Sequence, residues 1–191
     1  MPNQIKITGV VLAGGLSSRM GQDKSEMLFR EQKLIEYSIN SLTPFCEEVL
    51  ISSNNDKHAS YNHPIVKDKH NNIGPIAGLY TALLNAKNDY ILVLPCDSPL
   101  VDSDLIERLI SNLDDKIDAV IPVYKDFKEP LFAIYHKSIL PVLEMQIQKE
   151  NFKLMRLIDL LNVNLVKFET NKSFANINAP KDFENLNNLA L

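Results

Sequence analysis

Apolar residues recur along this chain in two rhythms. Short continuous runs near residues 6–12, 49–51, 65–66, 90–94, 119–123, 131–135 and 165–168 predict strands. Between them, Leu34, Ile35, Ile39 and Leu42, with the small Ser38 among them, fall at helical spacing and predict a helix over 33–42 that Pro44 stops. The same reasoning predicts helices near 74–86, 103–113, 138–149 and 151–161, with Pro180 starting a last one. Strands that are apolar throughout, rather than at every second position, are buried on both faces. The pattern therefore predicts an α/β fold: one Rossmann-like domain over residues 1–191, with a mostly parallel sheet and helices on both faces. A charged turn containing Glu129-Pro130 joins the runs at 119–123 and 131–135, and no internal repeat, linker or low-complexity tract interrupts the order.

The strand ends carry the chemistry. The first strand stops at Ala13-Gly14-Gly15, where the lack of bulky side chains lets backbone N–H groups approach an anion. Arg19 and Lys24 follow at a spacing that lets a folded-back loop aim a planar fork and a point charge at one polyphosphate. Neither the Walker pattern nor the Gly-x-Gly-x-x-Gly dinucleotide fingerprint is present. The strongest strand, residues 90–94, runs into Pro95-Cys96-Asp97-Ser98-Pro99 and delivers a carboxylate at its C-terminal end. Such a hard oxygen ligand suits Mg2+, although a strand-end Asp also serves simply to cap a turn. Asp68 lies in a polar loop before Gly74-Pro75-Ile76-Ala77-Gly78, which opens the next helix. A carboxylate only accepts hydrogen bonds, so Asp68 suits a ligand edge made of donors. Flanked by Lys67, Lys69 and His70, it fits a solvated loop as well. Asn176 and Asn178, if extended, point to one side, and equally suit an Asx turn before Pro180.

Composition narrows the partners. With 191 residues, 45% hydrophobic and 23% charged, the chain is an ordinary globular one. A net charge of -4 leaves no basic footprint for nucleic acid or an anionic membrane, so a small-molecule ligand is expected. Cys46 and Cys96 stand far apart without metal-ligand spacing and read as buried free thiols. His58, His63, His70 and His136 are scattered, pair with no nucleophile, and read as surface or loop residues. No secretory leader or membrane-length apolar run is evident, which places the protein in the cytoplasm.

Residues 12–24 reproduce Leu-Ala-Gly-Gly-x-Ser-x-Arg-Met-Gly-x-Asp-Lys, and in this the chain resembles the molybdenum cofactor guanylyltransferase family. Pro95-Cys96-Asp97-Ser98-Pro99 and residues 74–78 and 176–180 extend the resemblance over nearly the whole chain. It implies a nucleotide-diphospho-sugar transferase-like fold and transfer of GMP from GTP to the terminal phosphate of molybdopterin-bound molybdenum, with pyrophosphate released. Mg2+ would be bound by Asp97. Leu12, Ala13, Gly14, Gly15, Lys24, Ser52, Asn54, Asp68, Gly74, Gly78 and Asp97 would bind the nucleotide, with Arg19, Lys24 and Asp97 serving the transfer. Asn176, Asn178 and Lys153 would serve the acceptor. The resemblance also implies transient contacts with cofactor-synthesis proteins or the molybdoenzymes that accept the product.

The chain departs from the family in three places. Ser stands in part of the stretch near Asn54, Ala179 replaces a Thr, and Lys153 stands where an arginine is usual, with Arg156 nearby. Two alternatives remain open: a relative transferring CMP or acting on sugar phosphates, and a nucleotide-binding adaptor without turnover. Asp23 before Lys24, where the former usually have Pro, favours the guanylyl branch. An already ionised acceptor phosphate needs positioning more than a base or a covalent intermediate.

Overall fold

The computed structural model describes residues 5–14, 23–70, 73–169, 172–178 and 180–189. In chain order the elements are β1 (Ile7–Leu12), β2 (Leu28–Phe29), β3 (Gln32–Lys33), α1 (Leu34–Leu42), β4 (Glu48–Ser52), β5 (Ile65–Val66), α2 (Pro75–Asn85), β6 (Tyr90–Pro95), α3 (Ser103–Ser111), β7 (Ala119–Tyr124), β8 (Phe127–Lys128), β9 (Ile134–His136), α4 (Leu140–Gln148), α5 (Leu154–Ile158), β10 (Val163–Phe168) and α6 (Pro180–Leu189).

The continuous apolar runs form the middle of an eight-stranded sheet of order β10-β7-β9-β6-β1-β4-β5, with β8 paired to β7. Successive strand residues face opposite sides. Val10, Leu50, Ile91 and Val93 pack with Ile76, Leu79 and Leu83 of α2 and with Leu143 and Leu157 of α4 and α5. Their neighbours Val11, Ile51, Leu92 and Leu94 pack with Ile35, Ile39 and Leu42 of α1 and with Leu105 and Leu109 of α3. Helices thus cover both faces, and each buried aliphatic side chain contributes roughly 1.5–3 kcal/mol.

The sheet is mostly parallel, as expected. β5, β4, β1 and β6 run together, as do β7 and β10. β9 lies between β6 and β7 and is antiparallel to both.

Two expectations are corrected, and one hairpin had gone unpredicted. The run 131–135 is not a strand throughout: β9 starts at Ile134, because Pro130 and a bond from Phe132 N–H to the Glu129 carbonyl (3.1 Å) turn the chain first. The helix expected over 151–161 shrinks to Leu154–Ile158. Before it, Glu150 is left-handed (φ 54°) and Asn151 N–H closes on Gln146 O. After it, Asn162 is drawn away by a backbone bond from Asp118 N–H and by the Asp118 carboxylate. The hairpin β2–β3, with two residues in each strand, was too short for the period of its side chains to show.

That hairpin takes part in a third core. Phe29 and Leu34 pack with Ile177 and Leu186, and partly buried Phe183 and Tyr37 close the cluster. The Tyr37 hydroxyl donates to the Phe29 carbonyl at 2.7 Å. Ile177 N–H donates to the Asp97 carbonyl at 2.9 Å, so the chain before α6 is tied to the end of β6. Among the described residues, no helix is long and apolar enough to cross a membrane.

Candidate functional site

From β1 the chain crosses to β4 on one side and later returns to β6 on the other, so the strand order reverses at β1. In open parallel sheets a crevice forms beyond the strand C-termini at such a point. Here it is a cavity of about 360 Å3, lined by Leu12, Ala13 and Gly14 after β1, Ser52 at the end of β4, and Asp97 after β6. Backbone bonds hold its floor: Ala13 N–H to Ser52 O (2.9 Å) and Cys96 N–H to Leu12 O (3.1 Å).

Gly78 brings α2 against this floor. A Cβ at that position would stand 2.7 Å from Ser52 Oγ and 3.0 Å from Leu12 Cδ2. Gly78→Ala is therefore expected to push aside both side chains and to cost about 1–3 kcal/mol of stability, measured by urea unfolding; an unchanged midpoint would contradict the close packing. Gly74 at the N-cap of α2 has φ 78° and ψ -163°, a region that only glycine enters without strain.

Lys24 Nζ reaches Asn178 Oδ1 at 2.7 Å and Asp97 Oδ2 at 3.4 Å. Both members of the ion pair are mostly buried, their side chains 20% and 18% exposed. Asn176 Oδ1 accepts from the Ser98 hydroxyl at 2.7 Å, and Asn178 N–H donates to Asp182 at 2.8 Å. Across the cavity, Asp68 takes its backbone bond from N–H to Asn54 Oδ1 (2.9 Å), while its Oδ1 lies 3.4 Å from Ser52 Oγ. Burial pushes the Asp68 carboxyl above its ordinary value, with the Ser52 hydroxyl acting in the opposite sense.

The cavity thus brings together Leu12, Ala13, Gly14, Lys24, Ser52, Asp68, Gly74, Gly78, Asp97, Asn176 and Asn178. Asn54 stands behind Asp68 rather than in the lining. Lys153 is exposed at the N-cap of α5 and does not line the cavity, and Arg156 there donates to Asn151 Oδ1. Gly15 and Arg19 lie outside the described residues.

Asp23 and Leu131 also line the cavity, although sequence reasoning gave neither a site role. Asp23 belongs to the motif over 12–24, which was the available signal; Leu131 had none, being one apolar residue in an apolar run. Burial works to raise the Asp23 carboxyl, but bonds from Ser25 and Asn55 and the nearby His58 outweigh it and hold it below the usual carboxylate value. His58 is a correction. It lies in the loop segment between β4 and β5, as expected, but is fully buried and not at the surface, with Nε2 at 2.8 Å from Ser25 Oγ. Cys46 and Cys96 are free and partly buried, and burial pushes the Cys46 thiol up to about 12.

Among the described residues the lining carries three carboxylates, Asp23, Asp68 and Asp97, against one cation, Lys24. A switch-point crevice with a fixed lysine and an acidic rim is where an open α/β sheet binds its ligand, and the comparisons place the chain in the class of nucleotidyltransferases. It belongs to the MobA-like NTP transferase domain family, which residues 9–164 match. It is 35% identical to the "Probable molybdenum cofactor guanylyltransferase" of Carboxydothermus hydrogenoformans, over 94% of each chain. It is 34% identical to the molybdenum cofactor guanylyltransferase of Vibrio vulnificus, over 91% of each. The crystal structure of molybdopterin-guanine dinucleotide biosynthesis protein A from Archaeoglobus fulgidus superposes with a TM-score of 0.80 at 29% identity, covering 96% of this chain and 98% of that one.

Proposed function

We propose that this chain is a molybdenum cofactor guanylyltransferase: it transfers GMP from GTP to the terminal phosphate of molybdenum-bound molybdopterin and releases pyrophosphate. The observation that carries the reading is the Lys24–Asp97 pair at the floor of the switch-point crevice, 73 residues apart in sequence and 3.4 Å apart in space. Relatives of that name over nine-tenths of the chain support the substrate pair.

Gly14, just past the end of β1, offers its backbone N–H to the triphosphate, as the start of a phosphate loop does. Lys24 binds the β- and γ-phosphates and steadies the charge that grows on departing pyrophosphate. Asp68 accepts from the N1–H and amino group of guanine. Asn178 and Asn176, beside the lysine, meet the acceptor. The acceptor phosphate is already ionised, so its oxygen attacks the α-phosphorus in line as the bond to pyrophosphate breaks.

Among the described residues three carboxylates line the cavity against one cation, and the carboxylate and amide oxygens of Asp97 and Asn178 are ligands of the kind a small hard cation takes. The donor set fits Mg2+, with Asp97 holding it. When bound, the ion neutralises phosphate charge and polarises the α-phosphoryl group. In this reading the enzyme works in the cytoplasm and meets cofactor-synthesis proteins and acceptor molybdoenzymes only transiently.

Calorimetry with GTP, ATP, CTP and UTP in the presence of Mg2+ tests the base assignment. Asp68→Asn is expected to reduce the preference for GTP over ATP by about tenfold; equal loss for both purines would contradict it. The same variant reports on stability. A raised carboxyl value means that the folded chain keeps this proton to higher pH than the unfolded chain does. The stability it contributes is present at acid pH and is lost as pH rises through the raised value. Asp68→Asn is therefore expected to melt slightly above the native protein at pH 7, with the advantage vanishing towards pH 3. Preference for CTP in the native protein would instead favour a cytidylyl reaction, and GTP binding without pyrophosphate release in the presence of the pterin would favour an adaptor.

A further inference from the structure

Lys24 lies on the short 3₁₀ turn Lys24–Glu26, between the loop after β1 and the β2–β3 hairpin. Such a turn is too short to hold a cation in place by its own hydrogen bonds. The residues on either side of Lys24 are held from elsewhere. Ser25 is fully buried, and its hydroxyl lies 2.6 Å from Asp23 Oδ1 and 2.8 Å from His58 Nε2. Asp23 Oδ2 accepts from the Asn55 side-chain amide at 2.6 Å.

The proton inventory sets the direction of this chain. Serine has one hydroxyl proton and an ionised carboxylate only accepts. Ser25 therefore donates to Asp23, so its oxygen must accept from His58, which places a proton on Nε2. Nδ1 meets no hydrogen-bond partner among the described residues, so the ring serves this network through Nε2. His58 also stands 3.8 Å from the carboxylates of Asp23 and Glu26. Glu26 is itself held by Lys33 at 2.7 Å and by the Tyr61 hydroxyl at 2.9 Å. A segment after β4 thereby grips both neighbours of Lys24, while the lysine reaches across to Asp97 and Asn178.

We infer that His58 is a positioning residue for Lys24, fixing the lysine's backbone through the hydrogen-bonded chain His58–Ser25–Asp23. The inference rests on the assignment of Lys24 to the nucleotide phosphates. His58 does not line the cavity, so it touches no substrate and acts only through the residues it holds.

The test is a double-mutant cycle read as affinity for GTP with Mg2+, by calorimetry on the full chain. His58→Leu keeps most of the volume and deletes the donor; it is expected to weaken binding by about three- to tenfold, the worth of one or two hydrogen bonds. His58→Gln, which carries an N–H at a similar reach, is expected to recover most of that loss. In a Lys24→Ala background His58→Leu is expected to change affinity by less than about twofold, because the group it positions is gone. Ser25→Ala breaks the same chain from its other end and replaces His58→Leu in the cycle if that variant does not fold. Equal losses with and without Lys24, no loss from the first variant, or no recovery with Gln would each overturn the inference. A native protein that fails to bind GTP would overturn the nucleotide reading itself.

Discussion

Asp97→Ala is expected to lower the turnover number for GMP transfer by about a thousandfold or more while leaving the urea unfolding midpoint nearly unchanged. Its place in the fold separates the two effects. The backbone of Asp97, not its side chain, anchors the C-terminal segment, because its carbonyl takes the Ile177 N–H. That bond survives truncation to Ala. The carboxylate instead faces the cavity, where its described partner is Lys24. Its loss removes the oxygen ligand assigned to the divalent ion and leaves Lys24 with Asn178. Pyrophosphate release measured over a magnesium titration checks both parts. Activity within about threefold of the native protein would remove Asp97 from the reaction, and a matching fall in stability would make it a structural residue.

Lys24→Ala is expected to lower turnover by about a hundredfold or more and to weaken GTP binding by about tenfold. Turnover falls further because charge on the bond to pyrophosphate is greatest in the transition state, so a fixed cation is worth more there than in the ground state. Truncation also leaves three carboxylates around the cavity with no described cation among its lining residues. Steady-state kinetics separate the effects: kcat/KM is expected to fall further than kcat by the factor lost in binding, whereas a rise in KM alone would confine the lysine to substrate binding.

Residue types alone pointed to much of this site. Gly14 and Asp97 stand where strands β1 and β6 end, and an apolar run meeting glycine or aspartate marks such an end by its change of chemistry. Gly78 was legible as part of the segment that opens α2, and the structure adds that a Cβ there would meet Ser52 and Leu12. The reach of Lys24 to Asn178, over 154 residues of chain, was not legible, since no local rule relates a loop after the first strand to the segment before the last helix. It depends on the third core, where Phe29 and Ile177 are both almost fully buried. Lys153 shows the opposite case: the resemblance brought it under consideration, and packing of α5 on the sheet leaves it away from the cavity.

His58 is the sharpest instance of the same limit. In sequence it is one polar residue in the stretch from Ser52 to Tyr61, indistinguishable from its solvated neighbours. Its burial comes from the 3₁₀ turn Asp56–Tyr61 closing over Ser25, a contact across 33 residues.

The sequence by itself determined the class of fold, the two-sided burial of the central strands and the strand ends at which carboxylate and glycine stand. These follow from periodicity and backbone preference, which act over a few residues. Tertiary structure alone decided that β9 runs against its neighbours, that Lys24 pairs with Asp97, and that a histidine from a polar loop lies beneath the lysine's own segment. Those outcomes arise from packing between distant segments, where the free energy of burying a side chain depends on which surfaces meet and not on which residues precede it in the chain.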